Sequence, residues 1–260
     1  MFRLRHLSLP SVCVLLWLAL PVSSTSAAEL ADTIAAVKPA VVGIGSYQGT
    51  RSPQIKFNGT GFVVGDGLSV ITNAHVIPEL LDSEHMETLG IVTGNANAVE
   101  FRPATLVAID RQHDLVHLRL TGAPMPALKL GDSETVREGQ TLAFTGFPLG
   151  MVLGLNRATH RATLAAITPI AMPSLNSRAL DARTIAQLQK SPFSIFQLDG
   201  TAYPGNSGSP LYDPDNGTVY GVINMVFVKG LKENAITNPS GITYAIPANY
   251  VRELLQRKAP

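Results

Sequence analysis

A serine, a histidine and an aspartate in three separate blocks of this sequence have the types and contexts needed for nucleophilic chemistry. Ser207 sits in "TAYPGNSGSPLY", residues 201–212, between Asn206 and Gly208. A serine hydroxyl is a poor nucleophile until a base within hydrogen-bond reach accepts its proton. The base works best when a buried carboxylate fixes its tautomer and stabilises its cation. His75 directly follows the apolar run of "GDGLSVITNAHVI", where the small Ala74 lets the backbone turn. Asp114 stands at the mouth of the apolar run in "AIDRQHDLVHLRL", a half-buried place that suits an orienting carboxylate. Each residue also has a plainer reading. Gly, Asn, Pro and Ser fill turns for backbone reasons alone, so Ser207 can be a turn serine and His75 a satisfied histidine at a strand end. Asp110 and His113 flank Asp114 and compete with it, although the apolar alternation begins only after Asp114.

The elements that must position these residues are short and β-rich. From Val41 the chain reads "VVGIGSY", "GTGFVVG", "LSVITNAHVI", "GIVTG", "FRPATLVAID" and "DLVHLRL", broken by Gly, Pro and Asn. A second set follows: "TLAFTGF", "RATLAAITPI", "FSIFQLDG", "SPLY", "TVYGVINMVFV" and "GITYAIP". Such repeated runs predict an all-β sandwich or barrel in two modules, rather than alternating β/α units. The expected division is a leader over 1–28, an N-terminal module over 29–122 with His75 and Asp114, a linker over 123–139, and a C-terminal module over 140–260 with Ser207. "DPDNG" between "SPLY" and "TVYGVINM" is a strong hairpin signal, because Asn-Gly tolerates positive φ. Two helices are expected. One is an insertion over 177–190, and the other closes the chain after Pro247 with Tyr250, Val251, Leu254 and Leu255 on one face. His85 and His160 read as loop residues, and His117 as a core or edge histidine within its strand. No histidine spacing indicates a metal site.

With 45% hydrophobic and 15% charged residues among 260, the chain has the composition of a folded globular protein. Residues 1–28 differ: Arg3 and Arg5, the apolar run "VCVLLWLAL" and the small residues "SSTSAA" have the layout of a secretory leader cleaved after Ala28. The apolar run falls short of the roughly 20 residues that span a bilayer, so no stable membrane insertion is expected after cleavage. Cleavage removes Cys13, the only cysteine, and with it all thiol, disulfide and cysteine-ligand chemistry. An exported protein without disulfides fits the bacterial periplasm or a secreted bacterial protein. Loss of Arg3 and Arg5 turns 20 basic and 19 acidic residues into 18 and 19, leaving no basic stripe for nucleic acid. The "NGT" sequences at Asn58 and Asn216 read as Asn-Gly turns.

In order, "GTGFVVGDGLSVITNAHVI", "DRQHDLVHLRL" and "DGTAYPGNSGSPLY" resemble the His, Asp and Ser blocks of HtrA/Deg-type serine proteases within the trypsin-like superfamily. The resemblance runs from about Val37 to Tyr250 and implies two six-stranded antiparallel β-barrels with a C-terminal helix and a short helical insertion in the second barrel. It makes Ser207 the nucleophile, His75 the general base and then acid, Asp114 its orienting partner, and the backbone N–H groups of Gly205 and Ser207 the oxyanion hole. The primary pocket would have Thr201 at its base, six positions before the nucleophile, with Asn224, Met225 and Val226 on the wall and Gly241 facing them. Without an Asp at 201, a small or medium aliphatic substrate side chain is expected. The implied activity is an exported serine endopeptidase acting on polypeptides, unfolded proteins among them, through an acyl-enzyme and with no cofactor. The alternative is a protease-fold peptide-binding or chaperone-like module with little turnover. Two departures from the family are expected to matter: Ser209 stands where a glycine is usual, and the chain ends before the position of a PDZ domain.

Overall fold

The computed structural model describes residues 30–95, 98–170, 193–224 and 241–257. The expected leader, the 177–190 helix, Met225 and Val226 lie outside them. Six strands form a first closed antiparallel barrel: β1 (Val41–Tyr47), β2 (Ile55–Val64), β3 (Ser69–Asn73), β4 (Thr88–Asn95), β5 (Ala98–Asp110) and β6 (Leu115–Leu120). They close in the order β1-β2-β3-β6-β5-β4. A second six, β7 (Thr141–Gly146), β8 (Ala158–Ile170), β9 (Phe193–Asp199), β10 (Pro210–Tyr212), β11 (Val219–Asn224) and β12 (Ile242–Pro247), repeat that order as β7-β8-β9-β12-β11-β10. Closure pairs every strand on both sides and so removes exposed sheet edges.

Ile44, Phe62, Ile71, Ile91 and Leu118 are fully buried in the first barrel. Leu142, Phe144, Leu164, Phe196 and Leu198 form a separate cluster in the second. The first cluster does not stop at its barrel, for Tyr212, Val219, Val222 and Ile246 from the second barrel belong to it. So do Val251 and Leu254 of the closing helix, α2 (Ala248–Gln256). Burying such a side chain is worth about 2 kcal/mol, so α2 fastens the two barrels together rather than capping its own. A short helix that the sequence did not announce, α1 (Leu30–Val37), adds Val37 to the same cluster.

The segment between the barrels is a strap and not a free linker. Met125 and Leu128 donate their N–H groups to Gly67 and Val63 of the first barrel, and Gly131 donates to Val219 of the second. Leu128 and Leu130 form parallel bridges to Val64 and Val219.

The "DPDNG" hairpin is present, with Leu211 opposite Gly221. Asn216 lies in its turn and accepts the Thr218 N–H at 2.9 Å. Asn58 is a correction: it lies inside β2, the extra residue where Ile44 faces Gly59 and Gly45 faces Phe57. A β-bulge takes the residue that an Asn-Gly reading would put in a turn. His160 is a second correction. It belongs to β8 opposite Phe144 and stacks on that ring at 4.9 Å, so an apolar partner holds it in a strand despite its loop-like neighbours.

Candidate active site

Three turns meet where the barrels face each other. His75 stands on a 3-10 turn, Ala74–Val76, that follows β3. Asp114 ends the turn between β5 and β6 with φ of 53°, a left-handed conformation that Asp tolerates better than most residues. Its main-chain carbonyl explains how that conformation is held: it accepts the Ala74 N–H at 3.0 Å and the Asn73 side-chain amide at 3.1 Å.

The two carboxylate oxygens of Asp114 divide their work. Oδ1 accepts the His75 main-chain N–H at 2.9 Å, and Oδ2 lies 2.5 Å from His75 Nδ1. Asn224 Nδ2, from β11 of the other barrel, donates to the same Oδ2 at 2.7 Å. A carboxylate held on both oxygens cannot rotate freely, so the imidazole is aligned through both its ring and its backbone. The Asp114 side chain is 5% exposed and that of His75 15%, which leaves the imidazole accessible while the carboxylate is enclosed.

Ser207, 7% exposed, lies in the turn before β10. Its carbonyl accepts the N–H of Thr60 on β2 at 2.9 Å, which ties the turn to the first barrel. Gly59 marks the convergence: an added Cβ there would lie 2.8 Å from Val76 Cγ2, beside His75, and 3.1 Å from the Ser207 carbonyl oxygen. Gly205 has φ of 99°, and a Cβ there would lie 2.2 Å from the Phe147 carbonyl oxygen, so only glycine fits. The N–H of Leu149 holds the Pro204 carbonyl at 2.7 Å. Because a trans peptide sets its C=O and N–H on opposite sides, this bond directs the Gly205 N–H away from Leu149. Among the described residues neither Gly205 N–H nor Ser207 N–H has a hydrogen-bond partner, and both stay available to an incoming anion.

Thr201 is half-buried, and the segments around it and Gly241 are joined by a hydrogen bond from Gly200 N–H to the Gly241 carbonyl at 2.9 Å. Thr243 Oγ1 further bridges the Gly200 carbonyl and the Ala202 N–H. Asn224, fully buried, points its amide at Asp114.

The competing histidine–aspartate pair is built differently. Asp110 accepts from His113 Nδ1 at 2.8 Å and from Arg257, just beyond α2, at 2.6 Å. Burial pushes its carboxyl up, but the bonds from the His113 ring and N–H, with the charges of His113 and Arg257, outweigh this and bring it down to about 2. The His113 ring is stacked on Tyr250 at 4.0 Å and edged by Phe193 at 4.7 Å. A ring so enclosed is a fastening for α2. His117 is buried with both ring nitrogens unpartnered among the described residues, and burial holds it below the ordinary histidine range. Thr60, Asn73, Leu149 and the amide of Asn224 carry no mark in the sequence, because each matters through a partner tens of residues away. Among the described residues no group of three or more His, Cys, Asp or Glu is arranged to hold a metal, and no helix is long and apolar enough to cross a membrane.

Twin barrels with a glycine-flanked serine and a histidine–aspartate pair where they meet define the class of trypsin-like peptidases. The chain belongs to that family, whose trypsin-like peptidase domain model matches residues 59–222. Within it the chain is HtrA-like: it is 30% identical over 242 residues to the mitochondrial serine protease HTRA2 of Drosophila pseudoobscura pseudoobscura, covering 88% of this chain and 47% of that protein. HTRA2 of Drosophila willistoni is 30% identical over 203 residues, 78% of this chain and 38% of the relative. The chain thus spans about half or less of the length of these relatives. Among solved structures, the active form of the Rv3671c protease of M. tuberculosis superposes with a TM-score of 0.62 at 23% identity, covering 88% of this chain and 85% of that one. The HtrA-type protease AlgW with a decapeptide gives a TM-score of 0.61 at 22% identity, covering 88% and 66%. Those two likenesses are of fold.

Proposed function

We propose that this chain hydrolyses peptide bonds through a covalent acyl-enzyme, with Ser207 as nucleophile, His75 as general base and then acid, and Asp114 as the carboxylate that orients it. The observation that carries this reading is the two-oxygen grip of Asp114 on His75, which aligns the ring through Nδ1 and leaves Nε2 as the base. Ser207 Oγ attacks the substrate carbonyl as His75 Nε2 takes its proton. The tetrahedral oxyanion is met by the N–H groups of Gly205 and Ser207, where one such donor is worth about 3 kcal/mol. Collapse expels the amine, which leaves with the proton from His75, and water then cleaves the ester by the same sequence in reverse.

The substrates are polypeptides entering as extended segments, in keeping with the AlgW structure that holds a decapeptide. Thr201, Asn224 and Gly241 belong to the pocket, Asn224 through its backbone while its amide serves Asp114. The pocket receives small or medium aliphatic side chains. Residues 1–28 direct export to the periplasm or the medium, supported by their basic, apolar and small-residue layout. Labelling with a fluorophosphonate probe tests the reading, with Ser207→Ala as control. Labelling of the folded wild type alone is expected; a folded wild type that stays unlabelled favours the peptide-binding module instead.

A further inference from the structure

Gly205 joins two peptide units, and each is held from a different place. The Pro204–Gly205 unit is held by Leu149 N–H on the Pro204 carbonyl at 2.7 Å. The Gly205–Asn206 unit is held from the first barrel, where Thr60 Oγ1 lies 2.6 Å from the Gly205 carbonyl. The same hydroxyl oxygen accepts the Phe147 N–H at 3.1 Å. An N–H can only donate, so Phe147 commits the Thr60 oxygen as acceptor and its single proton is directed to Gly205. Thr60 itself is fully buried and fixed at both ends of its backbone, its N–H on the Ser207 carbonyl at 2.9 Å and its carbonyl under Thr72 Oγ1 at 2.7 Å.

We propose that Thr60 is a positioning residue that preforms the oxyanion hole, its hydroxyl pinning Gly205 directly and the 147–149 segment through Phe147. The proposal rests on the reading of Ser207 as nucleophile. A glycine at positive φ has little intrinsic resistance to rotation of its flanking peptides. Rotation of the Pro204–Gly205 unit would swing the Gly205 N–H out of the hole, and rotation of the Gly205–Asn206 unit would shift the turn that carries the Ser207 N–H; either forfeits stabilisation that exists only in the transition state. One hydroxyl controls both units, so its loss should weaken oxyanion binding while leaving contacts to the rest of the substrate in place.

The test compares two peptide inhibitors ending in alanine: an aldehyde, which forms a hemiacetal oxyanion on Ser207, and the matching alcohol, which cannot. In Thr60→Val, which keeps the shape and removes the hydroxyl, the aldehyde is expected to bind about 100-fold more weakly. The alcohol should change by less than about 3-fold, and kcat should fall while KM holds. Thr60→Ser, which keeps the hydroxyl, restores aldehyde binding. If Thr60→Val does not fold, Thr60→Cys, with its weak donor, should fall between serine and valine. Equal losses for aldehyde and alcohol, or no loss for either in a folded variant, overturn the proposal. A wild type that neither binds the aldehyde nor takes the fluorophosphonate overturns the underlying reading as well.

Discussion

The hydroxyl of Ser209 fills the space that Gly146 leaves open. A methyl group added at Gly146 would lie 2.0 Å from Ser209 Oγ and 2.8 Å from Asn206 Oδ1, so the last residue of β7 must be glycine because of the residue two places after Ser207. The departure of Ser209 from the HtrA pattern therefore has a counterpart in the fold. Both Ser209 Oγ and the Asn206 amide are buried without a protein partner among the described residues, so neither side chain gains a hydrogen bond from a described residue there.

Gly146→Ala is accordingly expected to destabilise the protein by about 1–3 kcal/mol through overpacking, with a loss of activity from displacement of Asn206. Ser209→Ala should be neutral or stabilising by about 1 kcal/mol, since it removes an unpaired buried hydroxyl. Ser209→Gly should recover part of the loss in the Gly146→Ala background. Thermal unfolding of Gly146→Ala, Ser209→Gly and the double variant measures the coupling; strictly additive effects would show that the two positions do not meet.

Asp114 provides a second prediction, because its two oxygens do separate jobs. Asp114→Asn keeps the shape but offers an amide where His75 Nδ1–H needs an acceptor, and kcat should fall by about 10⁴-fold with a smaller change in KM. Asn224→Ala removes the cross-barrel donor to Oδ2 while leaving the bond between Asp114 and His75 Nδ1, and a loss nearer 10-fold is expected. Steady-state kinetics on one alanine peptide ranks the two. Equal losses would mean that the grip on Asp114 comes from Asn224 rather than from His75.

Local pattern revealed the β-rich modules, the hairpin at Asn216 and the closing helix, since each depends on residues near one another in sequence. The contexts of His75, Asp114 and Ser207 were also legible, each beside the end of a strand-like run. Thr60 was not, although it lies inside one of the quoted blocks. Its hydroxyl meets Gly205 across 145 positions, and a threonine in a strand is an ordinary β-former until that partner is known. Asn224 was legible as a pocket-wall candidate, but not the bond its amide makes to Asp114 in the other barrel. Asn58 and His160 misled, as their residue types favour turns while bulge geometry and ring stacking favour strands.

Stability in acid should report the fastening of α2. Asp110 has an ordinary value of 3.8 and is brought down to about 2 in the fold, so its contribution is complete above about 3.8. It is lost as pH falls toward about 2, because protonation then costs the folded state its bonds to His113 and Arg257. The difference corresponds to about 2 kcal/mol. Asp110→Asn is expected to flatten the fall in unfolding free energy between pH 4 and 2 relative to wild type, as measured by urea unfolding. Arg257→Ala should reduce that slope by a smaller amount, since Arg257 is the lesser contributor. An unchanged slope in Asp110→Asn would place the acid sensitivity in other carboxylates.

Selectivity for the residue before the scissile bond is the last expectation, and it depends on what Thr201 lacks. In the proposed pocket a lysine or arginine side chain would meet the neutral Thr201 hydroxyl, and burial of an unpaired cation is costly. Peptides with alanine or valine at that position should be cleaved at least about 100-fold more efficiently than those with lysine, by kcat/KM. Among aliphatic residues the pocket can discriminate only by fit, about 1–3 kcal/mol per methylene, so alanine, valine and isoleucine should differ by roughly 10–200-fold. A matched peptide series varying that one position separates the two effects. Preferred cleavage after lysine would require an acidic group in the pocket other than residue 201.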